Sequence, residues 1–285
     1  MKGKNCIVTG GNSGIGFETA LAIAKEGANL VVVSRNPAKG KDAVERIKKE
    51  TGNEKVDLQV IDLSSQKSIR EGAEAISKKW DHLDVLVNNA GTWYSKRLFT
   101  EDGIETQFAV NHLAYFLFTH ELLPLLRNAP EARVVNVASD SHFQGKMHFD
   151  DLSLGKKYHG LRAYAQSKLG NVLFTYEFDR KKPNENISIY AVQPGLVKTD
   201  IGLKHTFSIH GLVWKIRRMG GVSPAEGAAT SIYLATSPDA AGQSGKYWDK
   251  CKPKSSSKRS YDKEDAARLW KISCDLCKID DYFAV

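Results

Sequence analysis

Residues 5–16 read Asn5-Cys6-Ile7-Val8-Thr9-Gly10-Gly11-Asn12-Ser13-Gly14-Ile15-Gly16, and this stretch decides the fold. Asn5 to Thr9 has the length and composition of a short buried strand. The glycines Gly10, Gly14 and Gly16 then break it, and Phe17, Ala20, Leu21, Ile23 and Ala24 recur at helical spacing until Gly27. Strand, glycine turn and helix in that order form a cradle for a pyrophosphate. Missing side chains let the backbone approach it, and the helix N-terminus offers free N–H groups. The spacing is Gly-x-x-x-Gly-x-Gly rather than the commoner Gly-x-Gly-x-x-Gly.

The next strand, Asn29 to Val33, ends in Ser34-Arg35-Asn36. In dinucleotide folds an acid about 20 residues beyond the glycine loop binds the 2′-hydroxyl of NAD. No acid lies between Leu30 and Lys41. Arg35 stands there instead, and a guanidinium suits the 2′-phosphate of NADP. NADP(H) is therefore expected over NAD(H).

Further strands are expected near 4–9, 55–61, 83–88, 132–138, 187–193 and 245–248. Helices are expected near 14–27, 37–50, 65–80, 103–128, 160–182 and 223–237, the last opened by a capping box, Ser223-Pro224-Ala225-Glu226. Apolar runs such as Leu30-Val31-Val32-Val33 suit strands covered on both faces. The expected fold is α/β: one Rossmann-type domain over residues 1–285, a doubly wound parallel sheet flanked by helices.

Tyr164-Ala165-Gln166-Ser167-Lys168 puts a phenol and an ammonium on one helix face. A phenol titrates near ~10, and a neighbouring cation is expected to pull that value toward the working range.

Together these motifs resemble the short-chain dehydrogenase/reductase family. Thr9 to Gly16 is similar to its glycine loop, and Asn88-Asn89-Ala90-Gly91 to its Asn-Asn-Ala-Gly segment. Arg133 to Ser139 resembles its serine-bearing strand, and Pro194-Gly195-Leu196-Val197-Lys198-Thr199 its Pro-Gly-x-x-x-Thr segment. The resemblance implies a catalytic set of Asn111, Ser139, Tyr164 and Lys168. It implies cofactor contacts from Gly10, Asn12, Ser13, Gly14, Ile15, Gly16, Arg35, Asp62, Leu63, Asn89, Ala90, Gly91, Tyr164, Lys168, Pro194, Gly195, Val197 and Thr199, and it requires no metal. The 25-residue gap from Ser139 to Tyr164, Phe149-Asp150-Asp151-Leu152 within it, and Ser244 to Cys251 are similar to the retinol dehydrogenase-like branch. That branch includes NADP-preferring reductases of retinal and lipid aldehydes, and many vertebrate members carry an N-terminal hydrophobic anchor, which is not expected here.

The implied reaction is reversible hydride transfer between nicotinamide and a lipophilic aldehyde or ketone. Ser139 polarises the substrate oxygen and Tyr164 moves the proton. Lys168 tunes Tyr164 and holds the ribose, and Asn111 fixes a water. Two other readings stay open: an NAD-dependent alcohol dehydrogenase, and a non-catalytic NADPH-binding regulator.

The net charge of +8 and pI near 9.1 favour anionic ligands. No nucleic-acid module is recognisable, so no nucleic acid is expected. Cys6, Cys251, Cys274 and Cys277 are scattered, and Cys274-Asp275-Leu276-Cys277 lacks a second ligand pair for zinc. No apolar run spans a membrane, and with no signal peptide a cytoplasmic protein is expected. Residues 205–221 mix apolar and basic side chains, and a substrate lid is expected near 200–222, with peripheral membrane contact as its rival. Lys252 to Arg259 reads as a solvated polar linker within a C-terminal extension near 249–285. Phe116, Leu117, Phe118, Phe174 and Tyr176 suit either the core or a homodimer interface.

Overall fold

Among the described residues, seven parallel strands and one antiparallel edge strand form a single sheet in the order β3-β2-β1-β4-β5-β6-β7-β8. The computed structural model describes residues 1–183, 186–195, 197 and 221–285. The expected lid near 200–222 therefore lies almost wholly outside the described residues, and Thr199 lies outside them too. The strands are β1 (Asn5–Thr9), β2 (Asn29–Ser34), β3 (Val56–Val60), β4 (Val85–Asn88), β5 (Ala132–Val137), β6 (Ile187–Val192), β7 (Lys246–Asp249) and β8 (Lys252–Pro253). The order runs outward from β1 in one direction and from β4 in the other. That reversal opens a crevice beyond the carboxyl ends of β1 and β4, where α/β sheets bind ligands.

Every residue of β1, β5 and β6 is buried, as parallel strands covered on both faces require. Alternate side chains feed two cores. Cys6, Val8, Leu30, Val32, Val135 and Tyr190 pack with Phe17 and Ile23 of α1 (Gly14–Lys25) and Ile47 of α2 (Pro37–Thr51). Ile7, Val31, Leu86, Val134 and Ile189 pack on the opposite face. There they meet α3 (Gln66–Ser77) and the helices that follow β4.

The helix expected near 103–128 is broken. It begins as α4 (Thr106–Phe108), loosens into a π-helical turn over Ala109–Leu113, and resumes as α5 (Ala114–Glu121) and α6 (Leu123–Asn128). Pro124 explains the second break, since it lacks an N–H and its ring crowds the carbonyl of His120. The long helix α7 (Gly160–Lys181) follows as expected, and α8 (Pro224–Thr236) carries the anticipated capping box.

The C-terminal extension departs most from expectation. Asp262 caps α9 (Lys263–Cys277) by accepting the N–H groups of Glu264 and Asp265. Trp270 and Tyr282 pack against Phe116 with ring centroids 5.2 and 4.5 Å apart. The Tyr282 hydroxyl donates to the Phe116 carbonyl at 2.8 Å. Phe116, Leu117, Phe118, Phe174 and Tyr176 are thus buried within the chain, in part by its own terminus. The stretch expected to be a solvated linker is built in as well. A two-residue turn at Lys250 and Cys251, both at positive φ, folds β8 back antiparallel to β7. Ser256, Ser257 and Ser260 are buried: the Ser256 hydroxyl meets those of Tyr176 and Ser260, and the Ser257 N–H donates to His142, partners that only the folded chain supplies. Cys274 and Cys277 pack inward, and burial pushes their thiols up to about 11 and about 12. Among the described residues, no helix is long and apolar enough to cross a membrane.

His112 lies in the π-helical turn, fully buried, with Nε2 3.1 Å from the Ser273 hydroxyl of α9. Burial lowers its pKa from 6.5 to about 4. Between those values the unfolded chain binds a proton that the folded chain refuses, so stability falls as pH drops from 6.5 toward 4. The loss should reach on the order of 3 kcal/mol at the acid end. Denaturant titrations at about pH 7 and about pH 5 should show it, and His112→Asn should flatten the slope.

Candidate active site

Thr9 ends β1 and joins it to the loop after β4. Its hydroxyl oxygen accepts the Asn89 and Ala90 N–H groups at 2.8 and 3.0 Å, while the Asn89 side-chain amide donates to the Thr9 carbonyl at 2.8 Å. Gly10 (φ +66°) and Gly14 (φ +57°) turn the chain from β1 into α1. A Cβ on Gly16 would stand 2.4 Å from both the Asn89 amide nitrogen and the Gly10 carbonyl oxygen. Ser13 is the N-cap of α1 but makes no side-chain cap bond, and the first turn contains no acid. Asn12 and Ile15 are half-buried beside them. This corner leaves backbone donors and the positive end of a helix dipole facing the crevice.

Arg35, exposed beyond β2, has no ion-pair partner among the described residues. Beyond β3, Asp62 Oδ1 accepts the backbone N–H and hydroxyl of Ser64 at 2.9 and 2.7 Å, and Leu63 is buried. Gly91 lies half-buried after Ala90. Beyond β6, Pro194 leads into Gly195 (φ +79°), and Val197 forms a β-bridge with Val222. The expected cofactor residues among those described therefore follow the carboxyl ends of β1, β2, β3, β4 and β6, or lie on α7.

Ser139 follows β5 and caps a 3₁₀ turn, Asp140–Gln144, where its hydroxyl accepts the Ser141 N–H at 3.2 Å. Tyr164 and Lys168 stand one turn apart on α7. The Lys168 ammonium is buried and donates to the Val137 carbonyl at 2.8 Å, two residues before Ser139. It lies 5.5 Å from the Tyr115 ring centroid and 5.7 Å from that of Tyr164. The Tyr115 hydroxyl donates to the Ala90 carbonyl at 2.8 Å, linking this group to the β4 loop.

The electrostatics correct one expectation. Burial pushes the Tyr164 phenol up to about 12, and a hydrogen bond with the Ser139 side chain pulls it part-way back. Burial brings Lys168 down to about 7. The expected lowering of Tyr164 by Lys168 is therefore not the dominant effect. The ammonium lies toward the ring and spends a donor on Val137, so desolvation wins. At neutral pH the phenol keeps its proton.

Asn111, in the π-helical turn, is fully buried. Its Oδ1 accepts the Thr92 N–H at 2.7 Å, and its Nδ2 donates to the Thr92 carbonyl and the Ser167 hydroxyl, each at 3.0 Å. Ser167 in turn donates to the Tyr164 carbonyl at 2.8 Å. Asn111 thus ties the β4 loop to the turn of α7 that carries the phenol.

Sequence reasoning missed Tyr115 and the amide ladder beneath the site. Asn88 donates to Thr119 and Asn136 at 3.0 and 2.9 Å, and Asn136 donates to Thr175 at 3.1 Å. An asparagine inside an apolar strand was the available signal, since a buried amide must find partners.

Residues 4–206 match the short chain dehydrogenase family model. The chain is 40% identical to human retinol dehydrogenase 13 over 287 residues, covering 98% of this chain and 86% of that protein. It is also 40% identical to mouse retinol dehydrogenase 12 over 279 residues, covering 98% and 88%. Among solved structures, an uncharacterized protein from Mycobacterium Paratuberculosis superposes with a TM-score of 0.77 at 29% identity, covering 98% of this chain and 94% of that one. With a nucleotide-binding crevice and a tyrosine–lysine pair on one helix, the chain belongs to the short-chain dehydrogenase family, in its retinol dehydrogenase-like branch, and is a nicotinamide-dependent oxidoreductase.

Proposed function

We propose that the protein is an NADPH-dependent reductase of a lipophilic aldehyde or ketone, retinal-like or lipid-derived, acting reversibly. The observation that carries this reading is the Tyr164 phenol beside the Ser139 hydroxyl and the Lys168 ammonium, where burial raises it above its ordinary value and leaves it a proton to give at neutral pH. The preference for NADP over NAD rests on Arg35, exposed and without an ion-pair partner among the described residues, where an acid would otherwise meet a ribose hydroxyl. The lipophilic substrate is supported by Phe143 and Leu161, two exposed apolar side chains close in sequence to Ser139 and Tyr164, and by the similarity to retinol dehydrogenases.

The residues present fit a dinucleotide. The space at Gly16 is closed to any side chain, and the corner from Gly10 to Gly16 has glycine at four of its seven positions. Asn12, Ser13 and Ile15 would line the pyrophosphate, Arg35 would hold the 2′-phosphate, and Asp62 and Leu63 the adenine. Asn89, Ala90, Gly91, Pro194, Gly195, Val197 and Thr199 would flank the rest. When bound, NADPH supplies the hydride. Ser139 donates a hydrogen bond to the substrate carbonyl and stabilises the charge that develops on its oxygen. Tyr164 gives its proton to that oxygen. Lys168 lies near enough to its own neutral form to accept and return a proton, and it anchors the ribose hydroxyls. The Asn111 amide is taken up by Thr92 and Ser167, so the main chain of the π-helical turn is left to hold the relay water.

Tyr164→Phe should lower kcat by about 10²–10⁴-fold while leaving NADPH affinity nearly unchanged. The check is the loss of NADPH and NADH absorbance across a panel of aldehydes, ketones and quinones, and substantial turnover by the variant would sink the assignment. Wild type that oxidised alcohols with NAD alone would favour the dehydrogenase reading, and NADPH binding without turnover the regulator. Arg35→Ala should weaken NADPH by about 10- to 100-fold, the worth of a charge-assisted hydrogen bond, and NADH far less. Equal losses would remove the phosphate contact. Gly16→Ala should cost about 1–3 kcal/mol of stability, read as a lower Tm, and weaken both cofactors, because the Gly10 backbone has to move.

A further inference from the structure

His142 is fully buried in the 3₁₀ turn behind Ser139, and both its ring nitrogens are engaged. Nε2 lies 3.1 Å from the backbone nitrogen of Ser257, which can only donate, so Nε2 accepts and carries no proton. The proton of the neutral ring is therefore on Nδ1, which donates to the Ser139 carbonyl at 2.6 Å. A second bond runs beside it, from Arg259 Nη1 to the Gly145 carbonyl at 3.0 Å. The turn following Ser139 is thus held from behind at both ends by the C-terminal segment. That segment is itself anchored on α7, where Ser256 meets the Tyr176 hydroxyl at 2.7 Å. The mechanism above uses none of these contacts.

We propose that His142 is a positioning residue for Ser139, a neutral imidazole bridge that makes the orientation of the Ser139 hydroxyl depend on the seating of residues 255–260 in the C-terminal extension. The proposal rests on the reading of Ser139 as the group that polarises the substrate carbonyl. The bridge has a chemical vulnerability. Protonation adds an N–H at Nε2 that faces the Ser257 N–H, and two donors cannot share a hydrogen bond. The charged and titratable groups facing the ring are Asp140 of its own turn, Tyr247 of β7 with ring centroids 4.8 Å away, Lys254 beyond β8, and Arg259 at the far end of the turn. Lys254 is paired with Asp249 at 2.7 Å. Burial outweighs the Ser139 carbonyl and Asp140 and holds the imidazole below its ordinary range, so the bridge stays intact at neutral pH and fails only in acid.

Three variants test this beside wild type. His142→Phe removes both bonds, and His142→Gln keeps one donor and one acceptor. Ser257→Pro deletes the amide N–H along with a hydroxyl that makes no hydrogen bond, at a position whose φ of −64° proline adopts. Steady-state turnover between about pH 5 and pH 8 is measured with NADPH affinity and hydrogen exchange. His142→Phe and Ser257→Pro should lower kcat by about 10- to 100-fold, with KM and NADPH affinity within about twofold. His142→Gln should recover most of the loss at neutral pH and lack the acid limb of the wild-type kcat profile. In His142→Phe, exchange should rise together in residues 139–145 and 255–261. A kcat in His142→Phe close to wild type, an acid limb that survives in His142→Gln, or exchange that rises in one segment alone would each overturn the proposal. If wild type turns over no substrate, the reductase reading has failed, and the exchange data alone then decide whether the bridge exists.

Discussion

The ammonium of Lys168 on the carbonyl of Val137 holds the two halves of the site in register. One half is carried by strand ends and the other by α7. A buried lysine charge is costly unless it finds hydrogen-bonding partners, and this one has a main-chain carbonyl and the faces of two tyrosines. The cost remains visible in the pKa of about 7. The same burial that brings the lysine down pushes the tyrosine up, so the pair holds one tightly bound proton and one loosely bound proton within a few ångströms. Such divergence between neighbouring groups is what acid–base chemistry at neutral pH requires.

Around that contact, the fold is a set of braces on the crevice. Thr9 ties β1 to the loop after β4, and Tyr115 ties that loop to the lysine's surroundings. Asn111 ties the same loop to α7 through Ser167. The ladder from Asn88 through Asn136 to Thr175 runs beneath, where each amide finds a partner in an otherwise apolar interior. The π-helical turn at Asn111 belongs to this scheme, because a local widening of a helix is a common way to aim side chains at a site.

Much of this was legible in the chain. The glycine loop, the apolar strands and the Tyr164–Lys168 spacing are local signals, and each lies where local periodicity places it. Three features were not legible, for physical reasons. The break in the helix expected near 103–128 depends on a π turn that has no sequence signature and on Pro124 in an otherwise helical run. The serines of residues 255–260 look solvated because their partners, Tyr176 and His142, are distant in sequence. The Tyr164 pKa depends on burial, which competes with the lysine charge and which spacing alone does not report. Thr199 and nearly all of the segment expected as a lid lie outside the described residues.

The terminal helix has a consequence for how the protein is made. A ribosome releases the chain from its N-terminus, and β1 to β7 can pair before α9 has left the exit tunnel. During that interval the side of Phe116 and Phe174 that Trp270 and Tyr282 later cover faces solvent as an aromatic surface open to other chains. Ser257 and Arg259, which brace the turn behind Ser139, also emerge after β1 to β7. The segment that covers this core face thus emerges after the sheet it covers, and a chain truncated before it would be a nearly whole sheet prone to aggregate.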